Sequence, residues 1–147
     1  MTKSKGSSSK HKLRAVLDSN VFISGVFWHG ASFQIIQKWR LASFTLVITP
    51  QIMAEVLTKL DEKFAVPPPL VQKWRRLLLR RAVVVIPRVR VSISRDPKDN
   101  MILEAALAGR ATHIVSGDAD LLSLHDHRGI PIVTPRQFVE TLETQTS

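Results

Sequence analysis

Cysteine is absent from the 147 residues. That excludes a disulfide scaffold, a thiolate zinc site and a thiol nucleophile, and it is compatible with a cytoplasmic location. Long apolar runs are missing as well: stretches such as Ala82 to Ile86 end after a handful of residues. Arg and Lys interrupt everything that approaches the roughly 20 residues needed to cross a bilayer, so no membrane span is expected. Acids are scarce, with 12 Asp and Glu against 21 Lys and Arg and a formal net charge of +9.

What is present fits one domain with a real core. Hydrophobic residues make up 44 % and the mean hydropathy is close to zero. The first twelve residues, M-T-K-S-K-G-S-S-S-K-H-K, carry Lys3, Lys5, Lys10 and Lys12 and no acid; removing those four charges leaves +5 of the +9. Residues 1–12 are expected to be a disordered basic tail without the apolar centre of a signal peptide, and residues 13–147 a single domain. The body stays basic without the tail, as suits a protein drawn to phosphate backbones.

Strand-like and helical segments alternate. Leu13 to Leu17, Phe44 to Ile48, Ala82 to Ile86, Thr112 to Val115 and Ile130 to Val133 read as strands. Val21 to Phe27, Phe33 to Leu41, Gln51 to Leu60, Leu70 to Arg81, Lys98 to Ala108 and Gln137 to Leu142 read as helices, with a short helical turn at Ala119 to Leu124. Thr49-Pro50, Asp96-Pro97 and Thr134-Pro135 each place a capping side chain before a proline at the first helical position, and Gly109 closes a helix. The alternation predicts an α/β fold, a three-layer sandwich around a parallel sheet of about five strands.

Four acids punctuate this pattern: Asp18 in L-D-S-N, Glu55 in T-P-Q-I-M-A-E, Asp99 in D-P-K-D-N and Asp118 in S-G-D-A-D. In a parallel sheet the carboxyl ends of the strands face a crevice at the point where strand order reverses, so Asp18 and Asp118 are expected on one rim. Asp99 joins them from the start of its helix, and Glu55 is within reach, since one and a half helical turns span only about 8 Å. Convergent carboxylates repel one another, and a divalent cation relieves that; oxygen-only ligation selects Mg2+ or Mn2+ over zinc. Asn20 and Ser116 are expected to support the acids. Each residue also has a purely structural reading. Asp18, Asp96, Asp118 and Asp120 are potential helix caps, Asp99 a capping-box partner of Asp96, and Glu55 a solvated helix residue. Asn20 and Ser116 are ordinary turn residues in the same sense.

The runs L-D-S-N-V-F-I-S-G, I-T-P-Q-I-M-A-E-V-L and D-P-K-D-N-M-I-L-E-A-A-L-A-G-R-A-T-H-I-V-S-G-D-A-D-L-L resemble, in that order, PIN-domain ribonucleases of the bacterial toxin-antitoxin type, related to VapC toxins. The likeness covers roughly Arg14 to Leu142. It implies endonucleolytic RNA hydrolysis with Mg2+ or Mn2+, a cognate antitoxin as partner, and a homodimer; attack by water on phosphorus is expected to leave a 5′-phosphate and a 3′-hydroxyl. It places the catalytic and metal-binding acids on Asp18, Glu55, Asp99 and Asp118. Asn20, Ser116, Asp96 and Asp120 fall in supporting roles, and Ser19 stands where Thr is frequent.

For the grip on RNA, Lys73, Arg75, Arg76, Arg80 and Arg81 form a cationic helix face around Trp74, with Arg88 and Arg90 following the next strand. The competing reading is a solvated face with Trp74 in the core. Trp28 and Trp39 read as core or dimer contacts, and His125-Asp126-His127 as a loop. Aspartyl-phosphate enzymes of the haloacid-dehalogenase kind want D-x-D after the first strand, where this chain has D-S-N. Receiver domains want an acceptor Asp after the third, where Ile86-Pro87-Arg88 stands. The remaining alternative is a non-catalytic PIN-like module that binds RNA or a partner, which would typically have lost acids.

Overall fold

The computed structural model describes residues 12–146; most of the basic tail, residues 1–11, lies outside the described residues. In chain order the elements are β1 (Arg14–Leu17), α1 (Ser19–Phe27), α2 (Ala31–Arg40), β2 (Thr45–Ile48) and α3 (Pro50–Thr58), which runs on into a π-helical turn (Lys59–Lys63). There follow α4 (Pro68–Arg81), β3 (Ala82–Val84), α5 (Pro97–Ala108), β4 (His113–Val115), α6 (Ala119–Leu122), β5 (Asp126–His127), β6 (Ile130–Val133) and α7 (Pro135–Thr146).

The sheet runs β3-β2-β1-β4-β6-β5. All neighbours are parallel except β5 and β6. Consecutive residues Ala15, Val16 and Leu17 of β1 and Leu46, Val47 and Ile48 of β2 are all buried, so both sheet faces are covered by helices. Helix α2 packs against both α1 and α7, while α5 lies against β1, β2 and β4. Phe22, Trp39, Phe44 and Phe138 fill the core, each worth about 1.5–3 kcal/mol of burial. Among the described residues no helix is long and apolar enough to cross a membrane.

The proline-led caps form as the residues dictate. Thr49 Oγ1 accepts from Ile52 N at 3.1 Å and Asp96 Oδ1 from Lys98 N at 3.0 Å. Thr134 and Gln137 satisfy each other's backbone N–H groups, at 3.2 and 2.9 Å, as a reciprocal capping box. Gly109 is required by close approach: a Cβ there would lie 2.2 Å from Val47 Cγ1. Its carbonyl receives two bonds from the Arg14 guanidinium, at 2.9 and 2.7 Å, which ties the end of α5 to β1.

Two expectations change. The sheet has six strands, because Asp126–His127, read as a loop, pairs antiparallel with β6 across the two-residue turn Arg128-Gly129. Both turn residues have positive φ, 50° and 84°, which matches the twist of a tight hairpin, and Asp126 Oδ2 accepts from Gly129 N at 2.9 Å. The third strand ends at Val84, short of Ile86, with a last bond from Val85 N to Ile48 O at 2.9 Å.

Candidate active site

The chain runs outward from β1 to β2 and β3, then returns past β1 to begin β4 on its other side. The reversal falls between β1 and β4, whose last residues Leu17 and Val115 are in register, and an open α/β sheet presents its crevice there. Asp18 and Ser116 are the next residues on each strand. Asp18 N bonds Val115 O at 2.9 Å, so the two rims are fixed to each other before any side chain contributes. The fully buried Ser116 hydroxyl donates to Asp18 Oδ2 at 2.9 Å and accepts from Asp118 N at the same distance. Asp18 also caps α1, its Oδ1 accepting from Asn20 N at 3.2 Å, and Asp118 caps α6 through Asp120 N at 3.0 Å. Capping and site membership are therefore compatible, since a carboxylate has two oxygens and several lone pairs.

Asp99 is buried, 4 % exposed, in the first turn of α5. Burial raises its pKa, the Ser94 hydroxyl at 3.0 Å pulls it down, and hydrogen bonding with the Asp118 carboxyl plus the charges of Asp118 and Asp96 raise it again. The result is a pKa pushed up to about 6. Two carboxyls in hydrogen-bonding contact cannot both ionise cheaply without a cation. Ser94 is itself held by the Asn100 amide, which accepts from Ser94 N and donates to Ser94 O, each at 2.9 Å.

Glu55 projects from α3 to the opposite wall. Its Oε2 accepts from Ser19 Oγ at 2.5 Å and pairs with Lys59 Nζ at 3.2 Å. Burial works to raise its pKa, but the bonds from Ser19 and Lys59 and the charges of Lys59 and Lys98 prevail, so it lies below the ordinary carboxylate value. The Lys59 ammonium also donates to Ser19 Oγ at 3.1 Å and to Asn20 Oδ1 at 2.9 Å.

These side chains line one cleft of about 200 Å³, with Asp18, Asn20, Glu55, Asp96, Asp99 and Asp118 all on its walls. Ser116 stands behind Asp18. Asp120 is exposed and does not line the cleft; its part is the backbone N–H given to Asp118. Lys73, Arg75, Arg76, Arg80 and Arg81 do not line it either. Trp74 is half-buried, edge-on to Phe22 with ring centroids 5.7 Å apart and Arg40 over its face, so it packs in the core instead of offering a stacking surface. Trp39 is core, whereas Trp28 is 55 % exposed in an aromatic cluster with Phe27 and Phe64. Sequence reasoning missed Ser19, Lys59, Lys98 and Ser94. The Lys59 position was detectable, being one helical turn beyond Glu55; Ser94, in an aperiodic segment, carried no signal.

Among the described residues no three Asp, Glu or His side chains stand close enough together, as they lie, to enclose an ion. The donor set nonetheless fits a hard cation: the potential ligands are oxygens, and burial together with the neighbouring charges of Asp118 and Asp96 pushes the Asp99 pKa up, as an excess of negative charge does.

With this sheet and a crevice of carboxylates at its reversal point, the chain belongs to the PIN domain family, which residues 14–120 match. It is similar to MJ1680, an uncharacterized protein of Methanocaldococcus jannaschii, at 26 % identity over 150 residues, covering 91 % of this chain and 94 % of that protein. Its fold is similar to PAE2754 from Pyrobaculum aerophilum, with a TM-score of 0.61 at 13 % identity covering 91 % of each chain. It is also similar to a chain of VapBC2 from Rickettsia felis, solved bound to a DNA fragment from the promoter. There the TM-score is 0.57 at 12 % identity, over 83 % of this chain and 98 % of that one.

Proposed function

We propose that this protein is a Mg2+- or Mn2+-dependent endoribonuclease that hydrolyses RNA phosphodiester bonds. The observation that carries the reading is the meeting of four carboxylates, Asp18, Glu55, Asp99 and Asp118, on the walls of one cleft at the reversal point of the sheet. Asp18, Asp99 and Asp118, with Glu55, are the residues that would hold the ion, and PIN domains generally use divalent ions. When bound, the ion supplies positive charge to the phosphate oxygens and acidity to water.

The chain's own groups do the rest. Ser116 and the backbone N–H groups of Asn20 and Asp120 orient the Asp18 and Asp118 carboxylates. Glu55, ionised and held by Ser19, is an acceptor for the proton of the attacking water. Lys59 and Lys98 bring cationic charge to the walls of a cleft that must admit a phosphate. Water adds to phosphorus as its proton passes to Glu55, and the P–O3′ bond breaks with the 3′-oxygen taking a proton from solvent, leaving a 5′-phosphate and a 3′-hydroxyl. The similar chain from Rickettsia felis is part of VapBC2, which supports a toxin role here with a cognate antitoxin as partner. A homodimer acting in the cytoplasm completes the reading.

The test is incubation of full-length protein with single-stranded RNA and Mn2+, with mass spectrometry of the fragment ends. The reading expects internal cuts with 5′-phosphates, lost on EDTA addition and in Asp18→Asn. RNA bound but never cut would favour a non-catalytic PIN-like binding module.

A further inference from the structure

An acidic cleft repels phosphates, so the affinity for a polyanion has to come from cations beside it. Two basic surfaces compete for that task. The face of α4 is denser in charge, but α4 enters β3 at its amino end, and Arg80 and Arg81 share a hollow with Lys12, Thr45 and Ala82, where strands begin. Asp18 and Asp118 follow the ends of their strands. A four-residue strand spans about 13 Å, which puts Arg80 and Arg81 at the opposite edge of the sheet. Arg81 is further occupied, giving a hydrogen bond to Arg40 O at 3.3 Å.

The segment after β3 leaves the sheet at the correct edge. It forms a hollow of about 310 Å³ whose walls include Gln51, Ile86, Arg88, Arg90, Met101 and Glu104. Met101 is also a wall of the acidic cleft, so the two spaces adjoin across one side chain. Arg88 and Arg90 are exposed and make no ion pair among the described residues. Beside them Ile86 is 66 % and Val89 49 % exposed, apolar surface of the kind that meets a base face. The segment is also anchored. Val91 is buried with its N–H on Glu104 Oε2 at 2.8 Å, and Ser94, clasped by Asn100, touches Asp99. The segment is thereby fixed in position relative to Asp99.

We infer that single-stranded RNA enters the cleft along this ledge, with its phosphates on Arg88 and Arg90 and base faces against Ile86, Val89 and Met101. The inference rests on the nuclease reading and names the track by which that site is fed. Duplex RNA, whose base faces are stacked away, does not use it.

The test is equilibrium binding of a short fluorescent single-stranded RNA to full-length protein carrying Asp18→Asn, between about 50 and 200 mM salt. Adding Arg88→Gln and Arg90→Gln is expected to weaken binding about tenfold and to flatten the salt slope by about 1.4, two single-strand phosphate contacts. Lys in place of both arginines restores the slope. Adding Arg75→Gln and Arg76→Gln changes neither. Melting within about 2 °C of the parent shows that the fold is intact. On the unmutated background the ledge substitutions raise KM and spare kcat. Unchanged binding in the ledge variant, loss confined to the α4 variant, or equal loss of duplex binding overturns the inference, while Mn2+-dependent cutting by the wild-type protein leaves the nuclease reading standing. A wild-type protein that never cuts RNA sinks that reading and the track with it.

Discussion

Lys59 Nζ lies 3.2 Å from Glu55 Oε2 and, from the same position, 3.1 Å from Ser19 Oγ and 2.9 Å from Asn20 Oδ1. One ammonium thus neutralises the Glu55 wall of the cleft. Replacing it in Lys59→Met removes the competitor for that carboxylate. Mn2+ affinity should rise about three- to tenfold, while the metal-free protein loses about 0.5–1 kcal/mol, as expected for a partly exposed pair. Calorimetric titration and urea denaturation check the two halves. Unchanged or weaker Mn2+ binding would count against the competition.

Asp99 makes the metal-free fold sensitive to pH. Its folded pKa of about 6 is above the 3.8 of the ordinary group. The stability tied to its proton is therefore fully present below about pH 3.8 and lost as pH rises through about 6. Half-buried His113 and buried His127 have lowered pKa values and act in the opposite direction, losing stability as pH falls below 6.5. The informative quantity is thus the difference between wild type and Asp99→Asn, in which the histidines cancel. That difference should grow in favour of the variant between pH 4 and 7, by on the order of 1 kcal/mol in EDTA, and Mn2+ should reverse it. Parallel denaturation curves across this range would refute the assignment.

Ser116→Ala removes the hydroxyl that joins Asp18 Oδ2 to Asp118 N. A fully buried hydrogen-bonding group costs about 1–2 kcal/mol when its partners are stranded. Cleavage should also slow by about tenfold with substrate binding kept, because the two acids lose their common support. Single-turnover kinetics separates the terms, and Ser116→Thr should recover part of the rate.

Gly25→Ala is the control for stability without chemistry. A Cβ there would lie 2.5 Å from the Ser32 carbonyl oxygen and 2.4 Å from Ile36 Cγ1, so the α1–α2 contact must open. A loss of about 1–3 kcal/mol is expected with Mn2+ affinity unchanged. Reduced metal affinity in folded protein would mean the cleft is more strained than its hydrogen bonds suggest.

Much of this was legible in the chain because it is local. Thr49, Asp96 and Thr134 announce their helices through chemistry confined to three or four residues. Asp18 and Asp118 stand one and three positions past apolar strands, where topology dictates a crevice. What was illegible depends on distance or on single dihedrals. Strand β5 exists because Arg128 and Gly129 both take positive φ, which no periodicity betrays. Ser94 finds Asp99 only because Asn100 and Glu104 strap an aperiodic segment onto α5. The charge density of α4 is plain in the sequence, but the direction of that helix, which sets Arg80 and Arg81 at the edge of the sheet where strands begin, is not. Composition records how many cations there are and is silent on which edge of the sheet they reach.

The most direct measurement is the single-turnover cleavage rate of a bound single-stranded RNA as Mn2+ is raised from zero, for wild type and Asp99→Asn side by side. The account predicts a saturating rise from no detectable cutting in the wild type, and a rate at least about a hundredfold lower in the variant with RNA still bound. Cutting that is as fast in EDTA as in Mn2+, or undiminished in Asp99→Asn, would contradict it.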